Sequence, residues 1–161
     1  MLSLSRKTDY ALVALAFLGG PAAGAGAVSA RQVAEHTGLP EPVTQAVLKQ
    51  LAVARLVSST RGSAGGYELA REASAVTVLE VVVAIEGPVQ TAACCDGNLP
   101  ILGQDCRLAG DCSISPAIKT LHRRLVGVLE ETTLADLMPA PDTLNNPVAP
   151  TDSKTLDPQL S

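Results

Sequence analysis

The residues of this 161-residue chain that are best suited to chemistry lie in one segment, CCDGNLPILGQDCRLAGDC, from Cys94 to Cys112. It contains all four cysteines of the chain, separated by glycine, aspartate, asparagine and proline residues. Thiolates in such a loop bind metal ions or iron–sulfur clusters, or undergo reversible oxidation. Packing of free cysteines as small hydrophobic side chains explains four thiols in a polar loop poorly.

The spacing of these thiols favours an iron–sulfur cluster over zinc. Zinc sites often use cysteine pairs separated by two residues, and the sequence has no such pair. Adjacent Cys94 and Cys95 are awkwardly placed to bind one metal ion together. Clusters accept wider spacing, such as the five residues between Cys106 and Cys112 and the ten between Cys95 and Cys106. Zinc, or thiol oxidation at Cys94–Cys95, stays open as an alternative.

Length and composition limit the kind of protein that carries this loop. The chain is long enough for one domain, or one small domain with an extension, and 47% hydrophobic residues are enough for a core. No apolar run reaches the roughly 18 residues that a membrane span needs, and ALVALAFLGG lacks a following cleavage pattern. We therefore expect a cytoplasmic protein without a membrane partner, whose thiols are reduced.

The net charge of −4 is unevenly distributed. Residues 1–71 carry seven lysines and arginines against four acidic residues, giving +3, and the remainder carries five against twelve, giving −7. A mildly basic first half is compatible with contacts to phosphate groups. The excess is too small to decide the function by itself.

Three helices are predicted in the first part of the chain. The first spans residues 4–18, with Ser5 as its N-cap. The second lies within SARQVAEHTG, where the leading serine caps the helix and the final glycine ends it. The third begins at about Glu41 and has a proline in its first turn, where no backbone donor is needed. Two short helices joined by a tight glycine-containing turn indicate a helix-turn-helix.

A hairpin and two more helices follow. RLVSSTRGSAGGYELA predicts strands at 56–60 and 67–70 around a glycine-rich turn, which completes a winged helix. TVLEVVVAIEGP predicts a short helix before the cysteines. After them, a helix from Ser115 to about Glu131 carries a coiled-coil-like apolar seam, which favours pairing with a second copy. The seam consists of Ile118, Leu121, Leu125 and Val128.

The predicted fold is mainly α: a winged helix-turn-helix with a small β-wing hairpin, plus a long C-terminal dimerisation helix. We assign residues 1–71 to the DNA-binding domain, and residues 72–138 to the cysteine sensor loop and the dimerisation helix. Residues 139–161 hold five of the eleven prolines and no apolar period, which predicts a disordered tail.

The winged helix predicts which residues contact DNA. The N-terminal part of the second helix of a helix-turn-helix faces base edges, and a wing arginine is favoured in a narrow minor groove. The residues predicted to contact DNA are Arg6, Glu41, Thr44, Gln45, Lys49, Arg61 and Ser63. Each of them has an ordinary alternative as a solvated surface residue.

The chain resembles the Rrf family of bacterial winged-helix regulators, of the IscR, NsrR and SUF-operon repressor type. LSRKTDYALVAL, SARQVAEHTGLP, the wing RGSAGGY and the cysteine loop carry the resemblance, which covers about residues 1–138. It implies a homodimer that binds palindromic double-stranded DNA, and a 2Fe–2S or 4Fe–4S cluster held by Cys95, Cys106 and Cys112. Cys94 is then a spare thiol or an alternative first ligand.

The fourth ligand of such a cluster varies within the family. IscR-like members use a histidine three residues after the last cysteine, a position that Ser115 occupies here. NsrR-like members use an aspartate of the other subunit near the start of the first helix, which matches Asp9. A carboxylate in a first helical turn also has an ordinary explanation, since the helix dipole stabilises it. His36 and His122 are the nitrogen candidates, and a packed or solvated side chain explains each of them well.

The expected function is a dimeric transcriptional regulator that senses iron–sulfur status, redox state or nitric oxide through its cluster. The resemblance implies a repressor, because repression is the common mode of action in the family. The first alternative is a cluster-free regulator that zinc or thiol oxidation switches. The second is a winged helix that binds only proteins. An enzyme is not expected, because the sequence has no catalytic triad, no evident carboxylate pair and no phosphate-binding loop.

Overall fold

The computed structural model of the chain describes residues 4–24, 26–62, 65–91 and 112–138. The described residues form helices, two 3-10 turns at Pro21–Ala23 and Ala73–Ala75, and one antiparallel two-stranded sheet. The elements are α1 (Arg6–Gly19), α2 (Ala30–Thr37), α3 (Glu41–Val53), β1 (Val57–Thr60), β2 (Gly66–Leu69), α4 (Val78–Glu86), α5 (Ser115–Glu131) and α6 (Leu134–Leu137). The predicted mainly α winged helix is confirmed.

Local side-chain chemistry fixes the ends of most helices. The Ser5 hydroxyl accepts a hydrogen bond from the backbone N–H of Thr8 at the start of α1, as its capping role requires. Helix α2 ends at Gly38, whose φ of 72° is left-handed and therefore favours glycine. Capping boxes begin three other helices, namely Ser29–Gln32 for α2, Thr77–Glu80 for α4 and Thr133–Asp136 for α6.

The wing hairpin is extended on one side by a short segment from between α1 and α2. Strand β1 pairs with β2 in the register Val57–Leu69 to Thr60–Gly66. Strand β1 begins one residue later than predicted and ends as predicted, whereas β2 is shifted by one residue towards the turn. Val28 exchanges backbone hydrogen bonds of 2.9 and 2.8 Å with Tyr67 on the other side of β2. A side chain on Gly66 would meet the Val28 backbone at about 2.5 Å, which explains this glycine.

One hydrophobic cluster is shared by helices α1, α2, α3, α4 and α6 and the hairpin. We call these elements together the core unit. Its fully buried side chains are mostly Leu and Val, such as Leu15, Leu48 and Leu51. Leu134 of α6 is also buried, and its N–H donates to the Val76 carbonyl at 2.7 Å. The chain thus returns to the core unit after α5, and the cluster extends on both sides of the predicted division at residue 71.

Helix α5 has the predicted bounds but differs from the helices of the core unit, because none of its residues is buried. It packs against α4 on one side, where Leu125, Val128 and Leu129 line a groove with Leu4 and Val82. The predicted tail, residues 139–161, lies outside the described residues. Within the described ranges, no helix combines the length and apolar character needed to cross a membrane.

Candidate nucleic-acid interface and metal centre

The third helix separates its buried and exposed side chains onto two faces. Val47, Leu48 and Leu51 are fully buried against the rest of the core unit. Glu41, Gln45 and Lys49 are exposed and follow each other at intervals of four residues, so they form one stripe along the helix. Three of the predicted DNA contacts therefore lie on a common surface. The exposed Pro42 and Ala46 border this stripe, and sequence analysis did not single them out.

Thr44 is the exception among the predicted contacts on α3. Its side chain is only 1% exposed, and its hydroxyl donates a hydrogen bond of 3.1 Å to the Pro40 carbonyl. Residue 44 falls on the same side of the helix as residues 47, 48 and 51, and it is small enough to pack there. The expectation that Thr44 faces base edges is therefore corrected, because its polar atom is used inside the domain.

The wing carries the predicted arginine next to its turn. Arg61 directly follows β1 and is exposed, and Gly62 beside it adopts a left-handed φ of 119°. The turn is narrow at its far side, since a side chain on Gly65 would lie about 2.2 Å from the Thr60 carbonyl oxygen. Ser63, the other predicted wing contact, lies outside the described residues.

Helix α2 adds a basic side chain that sequence analysis missed. Arg31 is exposed and forms a salt bridge of 2.8 Å with Glu35 one turn later. This hydrogen bond, with the charges of Glu35 and Glu41, raises the pKa of Arg31 above its ordinary value. The four-residue spacing of Arg31 and Glu35 was the signal in the sequence.

The first turn of α1 combines exposed charges with an unusually complete cap. Arg6 and Asp9 are both exposed there. The turn is capped by the Ser5 hydroxyl and also by Glu86 of α4, whose carboxylate accepts hydrogen bonds from the Ser5 N–H and the Thr8 hydroxyl. The Thr8 bond, followed by that from Ser5, holds the pKa of Glu86 below its ordinary value. Other groups thus already cap the turn that contains Asp9.

The last turn of α4 also contacts the third helix. The Gln50 side-chain amide donates to the carbonyls of Ala84 and Ile85, at 2.9 and 3.2 Å. Carbonyls at a helix C-terminus have no partner within their own helix, so an amide from α3 satisfies them. Sequence analysis named neither Gln50 nor Glu86, because nothing local in the sequence pairs residues so far apart.

Of the four cysteines, Cys112 is the one that the structure describes. It is half-buried, its thiol is free, and its carbonyl accepts a hydrogen bond of 3.2 Å from the Ser115 N–H at the start of α5. Cys94, Cys95 and Cys106 lie outside the described residues. Of the predicted cluster ligands, the structure thus describes Cys112 and Asp9, of which Cys112 is partly exposed and Asp9 exposed.

Metal-binding side chains do not gather elsewhere in the described part of the chain, where no three His, Cys, Asp or Glu residues are close enough to hold a metal ion. His36 stacks against Phe17, with ring centroids 5.1 Å apart, and its Nδ1 lies 3.0 Å from the Gln32 carbonyl oxygen. His122 contacts the Thr91 hydroxyl at 3.2 Å. Both histidines therefore have packing or hydrogen-bonding roles that require no metal.

Comparison with known proteins decides the family. The profile of the Rrf2 family, described as an iron-dependent transcriptional regulator, matches residues 4–140. The chain belongs to the Rrf2 family. A Mycobacterium tuberculosis protein named as an HTH-type transcriptional regulator is 34% identical over 137 residues, covering 84% of this chain and 81% of that relative. Escherichia coli IscR is 31% identical over 115 residues, covering 71% of this chain and 67% of IscR.

Solved structures of Rrf2 proteins share this fold. IscR of T. potens has a TM-score of 0.61 at 30% identity, with 84% of this chain and 85% of that chain covered. CymR, the global cysteine regulator of B. subtilis, has a TM-score of 0.58 at 27% identity, with 85% and 96% covered. Rrf2 proteins are DNA-binding transcriptional regulators and often dimers. This chain is accordingly a transcriptional regulator and not an enzyme, as predicted.

Proposed function

We propose that this Rrf2 protein is a cytoplasmic homodimeric repressor that binds a palindromic operator and senses its signal through an iron–sulfur cluster. The observation that carries the DNA-binding part is the exposed stripe of Glu41, Gln45 and Lys49 beside a wing with an exposed Arg61. A helix of this kind places polar side chains against base edges in the major groove, while the wing reaches the neighbouring minor groove.

Arg61 provides the first test of this interface. The DNA duplex for the test is first selected from a pool of random sequences by its binding to the wild-type protein. Replacing Arg61 by alanine is expected to weaken binding and to lower the slope of log affinity against log salt by about one. The matched control is Arg71→Ala, because Arg71 pairs with Glu80 and bonds the Ala75 carbonyl inside the core unit. Equal salt slopes for wild type and Arg61→Ala would contradict the wing contact.

The exposed seam of α5 supports the homodimer. Leu121 and Val128 are 48% and 61% exposed, and Ile118 and Leu125 are partly exposed between them. Ile114, which is 60% exposed, lies four residues before Ile118 and so extends the alternating spacing of three and four residues. Apolar side chains at such heptad spacing are typical of a helix that pairs with another helix. A second copy of α5 would cover this stripe and place two α3 helices on one palindrome.

The proposed cluster is bound by Cys95, Cys106 and Cys112, with Asp9 of the partner subunit as the fourth ligand. Two observations support it: Cys112 is a free and partly accessible thiol, and the family description names iron. Such a cluster supplies a group that redox change, nitric oxide or loss of iron alters. Asp9 is exposed and does not itself cap α1, because Ser5 and Glu86 do, so its carboxylate is accessible from outside the subunit.

The cluster is tested by anaerobic purification followed by visible absorbance and by iron and sulfide analysis. Cys95→Ser is expected to lose the absorbance and the iron, whereas Cys94→Ser, the adjacent matched control, is expected to keep both. Iron without sulfide, or zinc in place of iron, would contradict the cluster. A colourless, metal-free protein whose operator affinity is unchanged by either substitution would exclude cysteine-based sensing altogether.

Asp9 is tested with mixed dimers that combine an Asp9→Ala subunit with a Cys112→Ser subunit, isolated by two different affinity tags. If Asp9 acts across the dimer, the intact cysteines of the first subunit meet the intact Asp9 of the second, and one cluster remains per dimer. If Asp9 acts within its own subunit, neither site is complete and the mixed dimer is cluster-free. A cluster in the Asp9→Ala homodimer itself would show that Asp9 is not required.

CymR-like regulation is the second candidate, because a relative described as a cysteine regulator shares the fold at 27% identity. In this case the dimer and the DNA interface are retained and no cluster forms. A thiol modification at Cys94–Cys95, or zinc, then changes the operator affinity. Mass spectrometry of the thiols after mild oxidation, together with zinc analysis, separates this candidate from the cluster.

A further inference from the structure

The last turn of α4, residues 84–86, is held by two of the elements that carry predicted DNA contacts, α3 and the start of α1. Gln50 of α3 donates to the carbonyls of Ala84 and Ile85, and Glu86 accepts from Ser5 and Thr8 at the start of α1. Neither contact is a surface ion pair of small effect. Gln50 is half-buried and Thr8 is fully buried, so loss of either bond leaves a polar group without its partner away from water.

The same turn leads directly into the cysteine segment. Gly87, with a left-handed φ of 88°, ends α4, and residues 87–90 line the groove between α4 and α5 together with Glu86. The Thr91 hydroxyl then contacts Nδ1 of His122 on α5. The chain enters the cysteine segment after this contact and comes back at Cys112, next to the first turn of α5. The described residues on either side of the segment are therefore both attached to α5, Thr91 through His122 and Cys112 through Ser115. Thr91 lies five residues after Glu86.

We infer that this turn, which we call the α4 joint, transmits the state of the cysteine segment to α3 and to the start of α1, with Gln50 and Glu86 as its positioning residues. The inference rests on the proposed function, because it needs a sensor and a DNA interface to connect. A displacement of residues 88–91 along α5 would reach α4 through Gly87, the residue that ends this helix. It then reaches Glu86 and the two carbonyls that hold α3.

The α4 joint predicts a specific defect when its bonds are removed. Glu86→Ala removes the acceptor for Ser5 and Thr8, and Gln50→Met removes the donor to Ala84 and Ile85 while keeping the volume of the side chain. Each change is expected to reduce the ratio of operator affinities with and without the cluster from the usual 5–150-fold to about 1–2-fold. Cluster content, measured by iron and sulfide, is expected to stay that of the wild type.

Glu80→Ala is the matched control at the other end of the same helix. Glu80, like Glu86, accepts hydrogen bonds from a backbone N–H and a threonine hydroxyl, in this case both of Thr77. Its loss weakens α4 but touches neither α3 nor α1. Glu80→Ala is therefore expected to lower thermal stability while keeping the wild-type affinity ratio. Glu86→Gln, which keeps an oxygen acceptor for Ser5 and Thr8, is expected to restore most of the ratio.

Hydrogen exchange on the cluster-free protein tests the α4 joint independently of the cluster. Glu86→Ala and Gln50→Met are expected to increase amide exchange in the first turn of α1 and along α3, and Glu80→Ala is expected to increase it only within α4. If the DNA affinity of the wild type is the same with and without a cluster, the proposed sensor is wrong. The exchange pattern then still shows whether the α4 joint connects α4 to α1 and α3. Faster exchange confined to α4 in all three variants, or unchanged affinity ratios in a cluster-responsive protein, would overturn the inference.

Discussion

Helices α1 and α5 are the two longest helices of the structure among the described residues, and they are stabilised in different ways. Helix α1 buries Thr8, Ala11, Ala14, Leu15 and Leu18 within the core unit. Helix α5 is three residues longer and buries none of its side chains, although it carries a regular apolar seam. Isolated helices are marginally stable in water, and most of their stability in proteins comes from packing of an apolar face. Packing within one chain thus buries the apolar face of α1, whereas α5 packs only partly against α4 and leaves its seam exposed for the proposed second copy.

We expect the core unit and α5 to respond differently to protein concentration. Folding of the core unit is expected to depend on the sequence of one subunit and to be independent of protein concentration. Order and function of α5 are expected to depend on a second subunit, and therefore on concentration. The cysteine segment is followed by α5, so the proposed sensor adjoins the helix that is expected to depend on a second subunit.

The largest expected effect follows substitution within the core unit. Leu51 is fully buried on the inner face of α3, so Leu51→Ala is expected to lower the free energy of unfolding by about 2–5 kcal/mol. Urea titration followed by circular dichroism measures this change. The control is Val53→Ala on the same helix, at a side chain that is 86% exposed, where the change is expected to stay within about 0.5 kcal/mol. Similar losses in both variants would contradict the assignment of the two faces.

Substitution in the seam is expected to separate subunits without unfolding them. Leu121→Glu places a charge in the apolar stripe, so sedimentation is expected to show a monomer whose helical content is close to that of the wild type. Operator affinity is then expected to fall about 100-fold, since two half-sites are no longer bound together. Arg123→Glu, two residues along and thus on the far side of the helix, should keep the dimer. A dimeric Leu121→Glu would show that another surface joins the subunits.

A smaller effect distinguishes the two faces of α3 in DNA recognition. Gln45→Ala removes an exposed side chain that can bond a base edge, and it is expected to weaken selected over random DNA by about 1–3 kcal/mol. Thr44→Val keeps the shape of a buried neighbour and loses only the hydroxyl that bonds Pro40, so discrimination should not change. Binding isotherms on selected and scrambled duplexes measure both. Equal discrimination by Gln45→Ala and wild type would remove Gln45 from the interface.

The smallest effect concerns acid stability of the core unit. Hydrogen bonds from Thr8 and Ser5 hold the pKa of Glu86 below its ordinary value of 4.5. A carboxylate with a lowered folded-state pKa stabilises the fold above its unfolded pKa, and this stabilisation is lost as pH falls through the folded value. The free energy of unfolding is therefore expected to decrease from about pH 5 downwards, with a shallower decrease in Glu86→Gln. Parallel pH curves for the two proteins would contradict this contribution.

Glu80 provides a second carboxylate for the measurement of unfolding free energy against pH. Partial burial by itself would raise its pKa, but hydrogen bonds from Thr77 and the Arg71 guanidinium outweigh burial and hold the pKa below 4.5. Glu80→Gln is thus also expected to flatten the acid limb, whereas the affinity ratio for DNA should change in neither glutamine variant. The acid response and the sensing response of α4 are in this way distinguishable.

Much of the fold was predictable because its signals are local. Ser5 and Ser29 cap helices through bonds within one turn, and Gly38 ends α2 through its own left-handed φ. The bounds of α5 agree with the prediction for the same reason, since they follow from the apolar period and the proline near its start. The start of β1 and both bounds of β2 differ by one residue from the prediction, because they are set by pairing across the strands and with Val28 rather than by local preference.

The sequence by itself determined the order of the helices and strands from α1 to α5, the caps at Ser5 and Ser29, the apolar seam of α5 and the family, because spacing and residue type are sufficient for each of these. Only the tertiary structure decided that Thr44 is turned inward. It alone brought Glu86 to Ser5, 81 positions away, and Gln50 to Ala84, 34 positions away. Contacts between such distant residues arise from the packing of whole helices, which no local pattern in the sequence records.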